Sequence, residues 1–184
     1  MPCLSMLSLT ALLSMCALAC ASSSANDAPL GASTASATAT QAEPSALAGT
    51  WVFALTSSDV STPLRDRCAK SSNNDAAKTQ ACWDEIATEA AHEKIRFAKD
   101  SAGHTVWTSF GVEGAKETVF VQVPVELASD GPGHVLAKVS GAPKGEMANQ
   151  FAKSSINVMR IEVVDARTIA MTDPKKGRLV YTKE

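Results

Sequence analysis

Alternation of hydrophobic and polar residues runs through most of the chain after residue 46, and it predicts β-strands. The first run begins at Leu47 and continues to Leu55, where polar residues interrupt it. Seven more short runs follow after Lys94, each rich in strand-forming residues and bounded by turn residues. They cover 95–98, 105–110, 117–127, 134–139, 156–164, 168–172 and 178–182. Short strands at near-regular spacing, mostly joined by tight turns, predict an eight-stranded antiparallel meander.

A meander of this size is able to close into a barrel, and closure removes the exposed edges of the sheet. The interior of an eight-stranded barrel holds side chains or one small ligand. Pro124 lies inside the longest predicted strand and has no N–H to donate to a neighbour, so it is expected at a bulge or an edge. An open twisted sheet is therefore the alternative to a closed barrel.

The pattern between the first two predicted strands is helical instead. Cys82, Ile86 and Ala90 recur at helical spacing, with acidic residues on the other faces. The polar segment 71–75 interrupts this region, which predicts either a helical hairpin or a loop followed by one helix. The predicted fold class is thus mainly β, a closed meander with a helical insertion after its first strand.

Cysteine positions predict one disulfide. Cys3 and Cys16 lie in the first nineteen residues, Cys20 follows directly, and only Cys68 and Cys82 remain in the body of the chain. A leftover pair favours a bridge formed in an oxidising compartment. Such a bridge would close a short loop and stabilise the fold by about 3 kcal/mol if chain entropy dominates. The alternative is a pair of unrelated thiols.

The first residues of the chain have the pattern of an export signal. An apolar segment covers 7–18 and small residues follow it, although no Lys or Arg precedes it. It is too short and too rich in serine for a transmembrane helix of ~20 residues. Residues 1–19 are therefore predicted to be a signal peptide. Residues 20–46, rich in Ala, Ser and Thr, are predicted to be a flexible tether, and residues 47–184 the folded domain.

The end of the apolar segment, Ala17-Leu18-Ala19-Cys20, resembles the lipobox of bacterial lipoproteins. The usual order in that family has Leu three places before the cysteine and a small residue two places before, whereas Ala17 and Leu18 hold those positions here. The resemblance implies that Cys20 is acylated and anchors the protein to a membrane of the bacterial cell envelope. The alternative is an ordinary exported protein that is cut near Ala19 or Ala21.

The first predicted strand opens with Gly49-Thr50-Trp51, which resembles the Gly-x-Trp opening of the lipocalins and their relatives. The resemblance implies an eight-stranded barrel that the Trp closes at one end. It also implies that a basic residue of the last strand, Arg178 or Lys183, covers the Trp ring by a cation–π contact. Gly49, Trp51 and Arg178 are the residues expected to close the barrel. Unlike a lipocalin, the chain inserts some 40 residues between its first two predicted strands.

Charge and motif content argue against several classes of function. The chain has 17 basic and 19 acidic residues and no basic block, so nucleic acid is not an expected partner. His92, His104 and His134 stand apart, without the spacing of a metal site, so neither a metal nor a cofactor is predicted. A motif for an activated nucleophile, such as Gly-x-Ser-x-Gly, is also missing, and the protein is not expected to be an enzyme.

Two functions fit these patterns. The first is a monomeric, non-catalytic envelope lipoprotein whose barrel binds an apolar small molecule or lipid. The second is an envelope protein that has a filled barrel or an open sheet and acts through its surface, as a hydrolase inhibitor or as part of an assembly. The apolar strand residues serve either function, because the same side chains line a cavity or fill a core.

Overall fold

Eight strands close into a barrel in the computed structural model, which describes residues 42–154 and 156–184. Each strand pairs antiparallel with its neighbours in the sequence, and the last strand pairs with the first. The closed meander is therefore confirmed, and the open sheet is excluded. The strands are β1 (Gly49–Phe53), β2 (Glu93–Lys99), β3 (Thr105–Glu113), β4 (Lys116–Ser129), β5 (His134–Val139), β6 (Val158–Asp165), β7 (Thr168–Asp173) and β8 (Gly177–Lys183).

The insertion between β1 and β2 is a helical hairpin made of α1 (Ser61–Ser71) and α2 (Ala76–Ala91). Asn73 and Asn74 reverse the chain between the helices with positive φ angles of 53° and 60°, a conformation that Asn tolerates better than most residues. The side chain of Asp75 then caps α2 by accepting a hydrogen bond from a backbone N–H of its first turn.

A disulfide joins the two helices, as the sequence predicted. Cys68 of α1 bonds to Cys82 of α2, and their Cα atoms are 5.7 Å apart. The hairpin packs on the barrel through a second apolar cluster, in which Trp83 and Ala90 of α2 contact Phe53 at the end of β1. We call this end of the barrel, where β1 finishes and β2 begins, the hairpin end.

The connection between β5 and β6 enters the barrel. Backbone N–H groups of Glu146 and Met147 donate to carbonyls of β4, so this segment lies along the part of β4 that β5 does not reach. The short helix α3 (Ala148–Lys153) follows and buries Phe151 inside, with its ring centroid 5.8 Å from that of Trp107. The sequence pattern indicated no element in this connection.

Pro124 lies where the ladder between β4 and β5 stops. The last paired residue of β4 on that side is Val125, and the carbonyl of Pro124 accepts a hydrogen bond from the N–H of Ser140 just beyond β5. In an antiparallel ladder the N–H and C=O of one residue point to the same neighbour. The missing N–H of Pro124 therefore faces the end of β5, at an edge position, and β3 loses no bond.

The central part of the barrel is filled. Inward side chains from five strands have no solvent-accessible surface, and a void wide enough for water would expose them. These residues are Trp51, Val123, Val135, Ala137, Ile161 and Ile169. Met147 and Phe151 belong to the same cluster, so the connection that carries α3 helps to fill the interior.

The seam between β1 and β8 consists of only three residue pairs. Beyond them, the segment after β1 continues the pairing with β8 by other means. Ala54 donates its N–H to the carbonyl of Val180 over 2.8 Å, and the Ser58 hydroxyl accepts from the N–H of Val180 over 2.8 Å. The Asp59 carboxylate accepts from the N–H of Arg178 over 2.7 Å. Side chains thus satisfy the edge of β8 where strand pairing ends.

We expect Gly177→Ala to weaken this seam. A Cβ atom at Gly177 would lie 2.5 Å from Oδ2 of Asp59, and φ is +76° there. Gly103→Ala is a matched control, because φ is +85° at that turn and nothing lies within 4 Å of the new methyl group. The control should lose about 1 kcal/mol of unfolding free energy, and Gly177→Ala about 1–3 kcal/mol more. Urea denaturation measures both, and equal midpoints would contradict this account of the seam.

Candidate functional site

One end of the barrel is closed by Trp51. Its indole N–H donates to the carbonyl of Leu47, 2.8 Å away, and Leu47 is itself fully buried. This carbonyl belongs to a short 3-10 turn over Pro44–Leu47. Ala42, just before the turn, also packs in the main cluster. Ordered structure therefore includes residues 42–46, which the composition had assigned to the tether.

A lysine of the last strand covers the ring of Trp51. Lys183 pairs with Trp51 in the ladder between β1 and β8, and its Nζ atom lies 5.1 Å from the ring centroid. Gly49 allows this approach, since a Cβ atom there would lie 3.2 Å from the Lys183 Cε atom. The closing contact thus joins Gly49, Trp51 and Lys183.

Arg178 is not part of that contact. Side chains alternate between the two faces of a strand, so a residue five positions from Lys183 lies on the opposite face of β8. The Arg178 guanidinium is on the outside of the barrel, where its Nε atom bonds to Oε2 of Glu162 on β6 over 3.0 Å. The sequence offered two cations for the Trp51 ring, and strand parity selects Lys183.

Aromatic and polar side chains face inward at the hairpin end. We call this set the mouth, and it consists of Phe53, Glu93, Ser109, Phe120 and Tyr181. Four of the five are partly exposed, in contrast to the filled centre, and Phe53 is the buried member. A β-bulge at Phe120 of β4, opposite Ser109 and Phe110 of β3, shifts the register between the two strands in this region. The mouth is the one inward-facing region where we find a carboxylate beside aromatic rings in the described chain.

The rings of the mouth lie near Glu93. The Phe53 and Tyr181 rings contact each other with centroids 5.4 Å apart and an interplanar angle of 52°. Phe120 lies on Gly111, because a Cβ atom at that glycine would be 2.8 Å from its Cζ atom. Gly111 is the β3 residue that pairs with Glu93. Absence of a side chain at Gly111 therefore lets the Phe120 ring lie beside the first residue of β2.

Burial perturbs both ionisable groups of the mouth. Burial raises the pKa of Glu93, the charge of Glu89 on α2 raises it further, and the charge of Lys176 lowers it in part. The pKa of Tyr181 is also raised, first by burial and then by the negative charges of Glu93 and Asp173. Both side chains are therefore partly withdrawn from water, and Glu93 lies close enough to Tyr181 for its charge to raise the pKa of the hydroxyl.

Among the residues that the structure describes, no hydrogen bond or ion pair satisfies either group of this pair. Within residues 42–154 and 156–184, no hydrogen bond contributes to the pKa of Glu93 or Tyr181, and no ion pair within 4.0 Å engages Glu93. Buried polar groups normally have partners, so an unpartnered carboxylate and hydroxyl at a partly exposed position are available to an external molecule.

Sequence reasoning did not select Glu93 or Tyr181. One signal was present for each, since Glu93 has the same parity as Ile95, and Tyr181 has the same parity as Lys183, the partner of Trp51. Trp107 also carries a feature that the sequence did not reveal. Its indole N–H is buried without a hydrogen-bond partner among the described residues.

The other candidate residues do not assemble into a site. His92 follows α2, His104 precedes β3 and His134 begins β5, so the three lie apart, and His104 interacts with Asp100. The described residues contain no group of three His, Cys, Asp or Glu side chains placed to hold a metal ion. In the same part of the chain, no helix has the length and apolar character needed to cross a membrane. Cys20 lies outside the described residues.

Comparison with known proteins gives no match: neither a family model, nor a curated protein, nor a solved structure matches this chain. The architecture by itself is that of an eight-stranded antiparallel barrel, and its shape is consistent with a lipocalin-like barrel. Shape does not determine a ligand, so any ligand specificity depends on the side chains of the mouth.

We expect Glu93→Gln to change how stability depends on pH. Because the pKa of Glu93 is raised above its ordinary value of 4.5, the folded state holds this proton more tightly than the unfolded chain does. The free energy of unfolding therefore falls as the pH rises through the window above that value. Gln cannot ionise, so the variant should be more stable than the unchanged protein near neutral pH and similar to it in mild acid.

Thermal unfolding across this pH range measures the difference. Glu126→Gln is the matched control, since Glu126 is an exposed carboxylate on the outer face of β4. A Glu93→Gln curve that runs parallel to that of the unchanged protein at every pH would contradict the buried position of this carboxyl.

Proposed function

We propose that this protein is a non-catalytic, exported lipoprotein of the bacterial cell envelope that binds a small apolar molecule or lipid in its barrel. The observation that carries the proposal is the mouth. Partly exposed rings and polar atoms that have no partner in the described part of the chain face inward there, above a filled centre. Pockets for small molecules commonly combine an apolar wall with a few convergent polar groups.

The filled centre limits how deep a ligand reaches. Trp51 closes the far end of the barrel, and inward residues of the centre such as Val123, Ile161 and Ile169 have no accessible surface. A ligand would therefore lie with its apolar part against Phe120 and Tyr181 rather than along the whole barrel axis. The hairpin covers the β1 and β8 side of the same end, where Trp83 packs on Phe53. Binding under such a cover would remove apolar surface of the ligand from water.

The disulfide supports the export part of the proposal. The bridge between Cys68 and Cys82 is typical of proteins that leave a reducing cytoplasm. It agrees with the apolar segment and the small residues that precede Cys20. Acylation of Cys20 would place the barrel next to a membrane, which is a source of apolar ligands.

A surface role is the second candidate function, and the filled centre favours it. Met147 and Phe151 occupy interior space that a carrier of the lipocalin shape would leave for its ligand. In this case the barrel would be a rigid support, and the protein would act through its outer face as an inhibitor or as part of an assembly.

The two functions differ in whether ligand is retained. We expect native mass spectrometry of the purified protein, after exposure to an envelope lipid extract, to show a bound small molecule. Phe120→Leu should lower the bound fraction, because it removes a ring from the mouth. Val164→Ala, an exposed apolar residue on the outer face of β6, should leave it unchanged. No retained molecule, together with no uptake of a polarity-sensitive dye, would refute binding and favour the surface role.

The anchor is tested separately. We expect Cys20→Ser to abolish metabolic labelling with palmitate and to release the protein from the membrane fraction, because the acylated thiol would be lost. Cys16→Ser is the matched control, since this residue lies in the segment expected to be removed. Unlabelled wild-type protein, or a Cys20→Ser variant that stays membrane-bound, would contradict lipidation.

A further inference from the structure

We infer that the mouth selects amphipathic molecules whose polar end is an organic cation, with the Glu93 carboxylate and the rings of Phe53, Phe120 and Tyr181 as the cation site. The inference rests on the proposed function, which it deepens by naming the class of ligand. It starts from the one carboxylate that we place on the inner face beside these rings.

Position gives Glu93 this role. It is the first residue of β2, directly after α2, and its side chain points inward in register with buried Ile95. Val52 pairs with Lys94, so Phe53 and Glu93 come next on the inner faces of their strands. On the other side, Gly111 pairs with Glu93, and the Phe120 ring packs on Gly111. The carboxylate thus has a ring of β1 on one side, and on the other side the ring of Phe120 on β4, which lies over Gly111 of β3.

This set of groups suits a cation. The faces of aromatic rings carry negative electrostatic potential and attract ammonium groups, most strongly where water is partly excluded. A carboxylate that lacks an internal partner adds a full negative charge, and the Tyr181 hydroxyl has an oxygen that can accept a hydrogen bond. An apolar chain on the same molecule would contact the partly buried hydrophobic side chains around the site.

The charges near Glu93 favour the same sign of ligand. Glu89 on α2 and Asp173 at the end of β7 are negative, and their charges act on Glu93 and Tyr181. Lys176, in the turn between β7 and β8, is a cation whose charge acts on Glu93, although the two side chains form no ion pair within 4.0 Å. These negative charges would repel an anionic headgroup, whereas an organic cation would neutralise part of them.

Three probes with one dodecyl chain separate headgroup from tail: dodecyltrimethylammonium, dodecyl maltoside and dodecyl sulfate, each below its micelle concentration. Isothermal titration with the full protein should show the tightest binding for the cationic probe. Glu93→Gln should weaken the cationic probe about tenfold and leave the maltoside unchanged. The control Glu126→Gln should change neither. Lys176→Gln should tighten the cationic probe, because it removes the competing charge.

The outcomes are distinguishable. If all three probes bind equally and Glu93→Gln changes nothing, the cation site is wrong and the proposed apolar binding stands. If no probe binds, both proposals fail. Near-ultraviolet circular dichroism of each variant shows that the fold is kept. The two substitutions are expected to change the affinity for the cationic probe in opposite directions. If that affinity is unchanged in both variants, the inference is overturned, and the conclusion does not depend on a single substitution.

Discussion

Closure between β1 and β8 is the constraint on which the rest of this structure depends. A sheet of eight strands leaves two edges unless its first and last strands meet, and here they meet through only three pairs. Ala54, Ser58 and Asp59 complete the seam with backbone and side-chain hydrogen bonds to β8. The insertion therefore has to leave β1 along this edge before the helices begin. The position of the hairpin over one end of the barrel follows from that path.

Closure also divides the interior into two regions of different chemistry. Near Trp51 the interior is dry and filled, and the indole is fixed by Leu47 on one side and by Lys183 on its face. Toward the hairpin end the inner face includes a carboxylate, hydroxyl groups and rings with partial exposure. A core that served stability alone would use apolar side chains at these positions, because a buried carboxyl without a partner lowers stability. Departure from that rule at Glu93 is the reason to place function there.

Most of the fold was predictable from the sequence, because alternation and turn residues are local signals. They indicated eight strands, and the two remaining cysteines indicated the bridge. The α3 helix was not predictable, since it is short and its burial depends on the space beside Trp107. The mouth was not predictable either. Glu93 and Phe120 lie near each other because Gly111 pairs with one and packs against the other, a relation that depends on the register of β2, β3 and β4.

The bridge between Cys68 and Cys82 has a consequence for the order of events during folding. Its two cysteines are separated by 14 residues, whereas the hydrogen bond from Val180 to Ser58 spans 122. Local contacts form faster than distant ones, and a chain is made from its N-terminus. Both helices of the hairpin are therefore expected to form before β8 docks, and their covalent link to form once the chain reaches an oxidising compartment. The last strand then docks against a segment whose helices are already formed, which reduces the number of arrangements that β1 explores before the barrel shuts.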